Sequence, residues 1–450
     1  MRMSRRITSA VLLLLVTTSL PVAAQDASRM DEVLKYYVGE KLFMGSVLVV
    51  KDDKPVLDKA YGFANLEWNI PNSPETKFRL GSLTKQFTAA AILLLEERGK
   101  LKLDDPIGKY VADAPTTWDK VTIFDLLTHT AGVPNYTSFD SFKAVMRQAM
   151  TPGELIATFR DKPLDFAPGT KWDYSNSNYI LLGAVIEKAS GVSYAQFLQS
   201  NLFTPLGMNN TGYDSASAIL PMRAAGYVRR NNALLNDDFI DMSVPYAAGS
   251  LYSTTHDLLT WEKALYGGKV LKSASLKKMT TPFKQGYGFG LDIHDDVGHV
   301  RFSHNGGING FSTALAWYPD DHLAIVVLDN VSNGNGNQMM ARLADITFGR
   351  PVVLPNERKE LEVASAMLER YAGRYQLDHG PVLTITREGD HLFSQAGTQQ
   401  KIEMFAEAEG GFFTRAVDSQ VTFVTHDDGP ASALVLHRYG GPDVTGNRVP

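Results

Sequence analysis

The chain of 450 residues contains no cysteine. That excludes disulfide frameworks, thiol nucleophiles, thiolate-bound zinc, iron-sulfur clusters and thioether-linked haem. Several fixed-spacing signatures are also missing: a Gly-x-Ser-x-Gly nucleophile elbow, a phosphate loop, a His-Glu-x-x-His zinc helix and a complete dinucleotide fingerprint. Basic charge is in deficit, with 44 Lys and Arg against 49 Asp and Glu and a formal charge of −5. This argues against a nucleic-acid partner, because phosphate binding wants a basic surface. With 44% hydrophobic and 21% charged residues, the chain has the composition of a soluble globular protein with a large core. Small molecules or peptides are the expected partners.

Long apolar runs are scarce as well. The one near the amino terminus, Ala10 to about Leu20, falls short of the about 20 residues that cross a bilayer. Arg2, Arg5 and Arg6 precede it and Pro21-Val22-Ala23-Ala24 comes directly after, so residues 1–24 read as a secretory signal cleaved near Ala24. Ser4-Arg5-Arg6 raises twin-arginine export, but the poor match after it favours the general route. The expectation is an exported protein, periplasmic or secreted, without stable membrane insertion.

Past the signal, the pattern predicts a helix near Met30 to Glu40, then a hairpin from the β-branched runs Gly45 to Val50 and Val56 to Gly62. Helical patterns follow at Ser82 to Arg98, Thr122 to His129, Pro152 to Arg160, Asn178 to Ser190 and Tyr194 to Phe203. Thr122-x-x-Asp125 and Thr254-x-x-Asp257 match the capping box, and Gly99, Gly191 and Gly207 stand at helix ends. From Tyr287 to Asn330 strands return, with turns expected at Asp295-Asp296, Asn305-Gly306-Gly307 and Pro319-Asp320-Asp321. Strand, helices, then strand implies an antiparallel sheet whose first and last strands meet, with an inserted helical lobe, since no regular β-α-β alternation occurs. A linker rich in Pro and charge, at 351–364, precedes short alternating runs at 365–450 that predict a small all-β barrel or sandwich.

Gly81-Ser82-Leu83-Thr84-Lys85 opens a segment, Phe87 to Leu95, that is apolar on almost every side and belongs in a core. A serine three residues before a lysine shares its helix face, about 5 to 6 Å away between Cβ atoms, so the hydroxyl can pass its proton to a neutral amine. Lowering a lysine from about 10.4 to near 7 needs about 4 kcal/mol of desolvation and neighbouring charge, which a buried helix can supply. Ser-x-x-Lys occurs often by chance, and alone the pair reads better as a serine cap beside a lysine snorkelling to the surface. Two more motifs add weight. Tyr174-Ser175-Asn176 follows a Pro168-Gly169 turn and presents a phenol and an amide from a loop; His304-Asn305-Gly306-Gly307 ends one expected strand. His129 reads as a residue bracing a helix end, and His294 and His299 as exposed strand residues without metal-ligand spacing.

In these three ordered motifs the chain resembles the penicillin-recognising serine hydrolases: class C β-lactamases, DD-peptidases and related esterases and D-amino-acid peptidases. Ser82-Leu83-Thr84-Lys85 is similar to their first motif, Tyr174-Ser175-Asn176 to Tyr-x-Asn, and His304-Asn305-Gly306 stands where relatives carry Lys-Thr-Gly or His-x-Gly. Leu126 to Gly132, Pro205-Leu206-Gly207-Met208 and Ala248 to Leu251 are also similar to recurrent family segments. The resemblance implies an α/β fold of the α+β type: a β-lactamase-like antiparallel sheet flanked by helices over 25–350, with the helical lobe inserted. Tyr371-Ala372-Gly373-Arg374-Tyr375 and the β-rich run after it, to Tyr439, resemble more loosely a lipocalin-like barrel.

Carried onto matching positions, the resemblance implies Ser82 as nucleophile and Lys85 and Tyr174 sharing base and acid duty. Asn176 holds the substrate or Lys85, and the N–H groups of Ser82 and Gly307 receive the oxyanion, with no metal and no cofactor. Histidine in place of the third-motif lysine is mostly neutral at pH 7. Carboxylate recognition weakens accordingly, and esters, amides or D-aminoacyl compounds, cell-wall fragments among them, become the favoured substrates. His304 is either a substrate-binding group or a plain hydrogen-bonder. The alternatives are a β-lactamase or DD-carboxypeptidase, and a catalytically silent peptide- or lipid-binding protein. The oligomeric state is open.

Overall fold

A computed structural model describes residues 22–332, 335–378, 380–397, 399–426, 429–441 and 443–450. Almost all of the signal-like segment, residues 1–21, lies outside the described residues. Among the described residues no helix is long and apolar enough to cross a membrane.

Strands β1 (Gly45–Lys51) and β2 (Lys54–Tyr61) form the expected hairpin, and β3 (Asp292–Asp295), β4 (Val300–Ile308), β5 (Phe311–Tyr318) and β6 (Leu323–Asp329) return late in the chain. They join in one antiparallel sheet of order β3-β4-β5-β6-β1-β2. The junction is the β1–β6 pairing, Gly45 opposite Asp329 through Lys51 opposite Leu323. First and last strands therefore meet, as their order in the sequence requires.

Alternation along these strands feeds two cores, because successive side chains point to opposite faces. Val47, Val49, Ile325 and Val327 pack with helices α1 (Val22–Gly39) and α6 (Asn335–Thr347). Leu48, Val50, Val326 and Leu328 face the helical lobe, centred on α2 (Thr84–Glu97). Every α2 residue from Thr84 to Leu95 is buried, which explains a sequence apolar all round.

Around α2, the short helix α3 (Ile123–Leu127) starts with the full Thr122/Asp125 capping box. Helix α4 (Asn176–Ser190) ends at Gly191, whose φ of 78° is the left-handed conformation glycine favours. Helix α5 (Thr255–Tyr266) has half a box: Thr254 accepts from the Asp257 amide, while the Asp257 carboxylate instead receives Asn210 N and Thr211 Oγ1. Tertiary partners outcompete the local reciprocal bond there.

One expected turn is corrected. Asn305-Gly306-Gly307 lies inside β4, and the chain reverses one step later, at Asn309-Gly310, with Gly310 at φ 81°. The glycine at 306 serves close packing rather than turning: a Cβ there would come within 2.0 Å of Leu80 O and 2.3 Å of Thr313 Oγ1. His299 also differs from expectation, lying between β3 and β4, half-buried, paired with Asp321 at 2.9 Å and stacked on Phe348.

Eight consecutive strands between Gly373 and Val449 close into a barrel, the last pairing with the first. Tyr371, Tyr375, Phe412 and Phe423 fill its core. It docks on the α1/α6 face of the sheet through a buried cluster in which Asp418 receives both the Tyr37 hydroxyl and the Arg342 guanidinium. Tyr439, lying over Arg342, bonds Asp345. Arg342 is 1% exposed, so Asp418→Ala would strand a buried cation. The expected loss is about 3 to 5 kcal/mol, read as a fall in melting temperature. The double replacement of Arg342 and Asp418 by Met and Leu should recover most of it, and an unchanged melt in the single variant would show that the pair is solvated.

Candidate active site

Ser82 sits in a 3-10 turn, Gly81–Leu83, that runs straight into α2, so it stands at the positive end of a helix. One turn on, Lys85 is fully buried. Its Nζ lies 2.9 Å from each of three oxygens: Ser82 Oγ, Asn176 Oδ1 and the Ala248 carbonyl. Burial holds the amine well below the usual lysine range. A neutral amine has two hydrogens and one lone pair. Two of the three oxygens, Asn176 Oδ1 and Ala248 O, can only accept, so both hydrogens go to them and the lone pair faces the Ser82 hydroxyl.

The second ligand of Ser82 comes from a loop. Tyr174 OH donates to Ser82 Oγ at 2.9 Å, and burial pushes the phenol above its usual range, so it stays protonated. With the amine neutral, Ser82 accepts from Tyr174 and donates to Lys85, a polarity that sets one oxygen between a proton acceptor and a proton donor.

Asn176 begins α4 and its amide orientation is imposed from the opposite side. Its Nδ2 donates to Thr137 Oγ1 at 3.2 Å and to Asn135 Oδ1 at 3.4 Å, which leaves Oδ1 for Lys85. Of the two roles considered for Asn176, the geometry shows the contact to Lys85. Thr88 performs a similar service for the Ala248 carbonyl by donating to Ala247 O at 2.7 Å, tying α2 to the turn that carries it.

His304, in β4, is buried. Its Nδ1 lies 2.6 Å from Asn305 O, which can only accept, so Nδ1 carries the proton and Nε2 accepts from Tyr287 OH at 3.1 Å. Burial lowers its pKa, and the ring is a neutral hydrogen-bonder whose two nitrogens are both engaged. Gly307 lies against the start of the serine helix: a Cβ on Gly81, itself at φ 54°, would come within 3.0 Å of both Gly307 N and O. Ser82, Asn176, Ala248 and Gly307 line one cavity of about 200 Å³. Asn305 does not. Alternation along β4 turns it to a neighbouring cavity of about 470 Å³ with Arg230 and Asn337, and Gly306 and Gly307 border that cavity too. Among the described residues, the barrel contributes none of those lining the Ser82 cavity.

Asn135, Thr137 and the Ala248 carbonyl were not foreseen as site residues. Ala248 lies in a family-similar segment, yet a backbone carbonyl has no side-chain signature. Asn135 and Thr137 carry no spacing that ties them to a motif about 40 residues later.

An antiparallel sheet over a buried helix, with a serine that a lysine and a tyrosine share, defines the penicillin-recognising class of serine hydrolases. The chain belongs to the beta-lactamase family, whose model matches residues 33–347; residues 357–448 match a family described as a domain of unknown function, DUF3471. Penicillin-binding protein 4* of Bacillus subtilis (strain 168) is 31% identical over 439 residues, 90% of this chain and 95% of that relative. Among solved structures, the octameric penicillin-binding protein homologue from Pyrococcus abyssi is 27% identical, with a TM-score of 0.67 over 93% of this chain and 100% of its own. A D-stereospecific amidohydrolase from Streptomyces sp. is 26% identical, with a TM-score of 0.62 over 72% and 98%.

Proposed function

We propose that this protein is an exported hydrolase that forms an acyl-enzyme on Ser82 and cleaves ester, amide or D-aminoacyl bonds. The observation that carries the reading is the pair of 2.9 Å bonds from Ser82 Oγ to a buried lysine and to a tyrosine. In acylation the Ser82 proton passes to Lys85 Nζ as Oγ attacks the carbonyl carbon, and Tyr174 gives its proton to the leaving group. In deacylation the Tyr174 phenolate takes a proton from water, the hydroxide attacks the acyl carbon, and Lys85 returns its proton to the departing Ser82 Oγ. Both groups end as they began. The N–H groups of Ser82 and Gly307 are the proposed oxyanion donors, each worth about 3 to 4 kcal/mol in such sites.

Substrates without a required carboxylate fit best, because His304 is uncharged and both its nitrogens are taken. The similarity to a D-stereospecific amidohydrolase supports D-aminoacyl amides and esters, cell-wall fragments among them. The names of other relatives favour a second reading, penicillin acylation with or without turnover.

Intact mass after exposure to a fluorophosphonate, a penicillin and a p-nitrophenyl ester separates these readings. A single adduct with the fluorophosphonate, absent in Ser82→Ala, is expected; an adduct on both proteins would remove Ser82 as nucleophile. A lasting penicillin adduct would favour the second reading. Tyr174→Phe should retain the fluorophosphonate adduct but lose about 10² to 10⁴ in turnover of an amide, measured as kcat. Turnover equal to wild type would take Tyr174 out of the reaction.

A further inference from the structure

Resting on the hydrolase reading, we infer that His129 is the residue that positions Tyr174 for proton delivery, and that the segment from Thr128 to Gly132 exists in this form to hold the Tyr-x-Asn loop. The contacts run along the whole approach to the motif. Asp165 N donates to Gly132 O at 2.8 Å, Gly169 N to Thr130 O at 2.8 Å and Asp173 N to His129 O at 3.0 Å. The last tie is made by a side chain: Ser175 N, between the phenol and the amide of the motif, donates to His129 Nδ1 at 3.3 Å. Asn178 Nδ2, on the first turn of α4, lies 3.2 Å from the same nitrogen. The imidazole also packs on the Tyr174 ring, with centroids 4.4 Å apart, so one residue fixes both the backbone and the ring of the proposed acid.

This arrangement is costly, which points to a use. His129 adopts φ 56°, a left-handed conformation uncommon outside glycine, in which Asn, Asp and His are the enriched side chains. The side chain is fully buried, and because Nδ1 accepts, the proton sits on Nε2, which has no hydrogen-bond partner among the described residues. Protonation would convert Nδ1 to a donor and break the tie to Ser175. Burial and the nearby Lys85 and His304 hold the ring well below the usual histidine range, so it stays neutral. Gly132 completes the clasp at φ 73°, where a Cβ would come within 2.1 Å of Phe166 O.

Asparagine is the informative substitute. Its Oδ1 occupies the place of Nδ1, accepts from the same amide and tolerates positive φ. Phenylalanine keeps the ring and removes the acceptor. A displaced Tyr174 hurts most where the leaving group must be protonated, so ethyl acetate and p-nitrophenyl acetate are the probes. His129→Phe is expected to lower kcat on ethyl acetate about 100-fold, to lower it less than tenfold on p-nitrophenyl acetate, and to leave KM nearly unchanged. His129→Asn should recover most of the ethyl acetate rate. Hydrogen exchange of a peptide spanning residues 172–178 should be faster in His129→Phe and close to wild type in His129→Asn.

Equal losses on both esters, no loss in His129→Phe, or no recovery in a folded His129→Asn would each overturn the inference. If His129→Phe does not fold, exchange of the Ser175 amide in the wild type decides, because an unprotected amide removes the tie on which the inference stands. Ser82→Ala separates the two levels. Ester turnover surviving there defeats the reading of the site, whereas turnover lost there but unaffected in His129→Phe defeats only the positioning role.

Discussion

Ser82→Ala is expected to abolish the acyl-enzyme and lower kcat on the order of 10⁴-fold or more, because it removes the hydroxyl proposed to form the covalent intermediate. The substitution removes one oxygen at the rim of a cavity and leaves α2 intact, so the variant should fold and melt close to the wild type. Lys85, Asn176 and Ala248 keep their mutual bonds in it. The measurements are steady-state hydrolysis of a p-nitrophenyl ester and peptide mapping of the fluorophosphonate adduct. Retention of the adduct, or of more than about a tenth of kcat, would move the nucleophile elsewhere and undo the proton sequence built on Ser82.

Lys85→Met should produce the second large effect, a loss of activity together with a pH-dependent change in stability. Methionine has similar length and no basic nitrogen, so kcat is expected to fall by about 10² to 10⁴. The stability sign comes from the lowered pKa. The unfolded chain carries a charged lysine at every pH below about 10.4, whereas the folded protein keeps the amine neutral down to its lowered pKa. Over that window the unfolded state binds more protons, so this group lowers stability progressively as pH falls. Removing it cancels that slope. Against the gain stands the loss of donors to Asn176 Oδ1 and Ala248 O, a roughly pH-independent penalty of about 1 to 3 kcal/mol for each acceptor left unpaired. The expected result is therefore a difference: relative to wild type, Lys85→Met melts at a higher temperature at pH 6 than it does at pH 9. A parallel pair of melting curves across that range would mean that Lys85 is charged in the folded protein, and the lone-pair argument would fail with it.

The two variants separate chemistry from architecture because Ser82 is bordered by solvent and Lys85 is not. A buried amine with three oxygen partners is a stability liability that folding alone does not require. Its presence inside α2 is what ties the Ser82 hydroxyl to the core.

Much of this was legible in the chain itself. Ser82 and Lys85 share a helix face because three residues span about one turn, and α2 is buried because its apolar residues leave no polar side. The order strand, helices, strand forced the first hairpin to find the last strands, and alternating β-branched residues fixed which faces they bury. The late alternating runs meant a separate β unit, although only closure between the first and last strands distinguishes its barrel from a sandwich.

Other features could not be read from local pattern. Asn305 falls within the third motif, yet β4 alternation turns it away from the Ser82 cavity, and the turn expected at 305–307 moved to Asn309-Gly310. Glycine signals both turns and close approach, and only the presence of Leu80 O against Gly306 tells them apart. His129 looked like a brace for a helix end; that its Nδ1 holds the Ser175 amide 46 positions away depends on how two loops lie together.

Residue type and short-range periodicity set the chemistry on offer and the elements that carry it, because they fix side-chain functionality, helix face and strand face. Burial and aim came from the tertiary structure: that the lysine is dry and its pKa is held down, that its Nζ meets the serine, and that the phenol stays a donor. Those properties depend on desolvation and on acceptors brought from residues 135, 137, 176 and 248, and no interval of sequence encodes the distance between them.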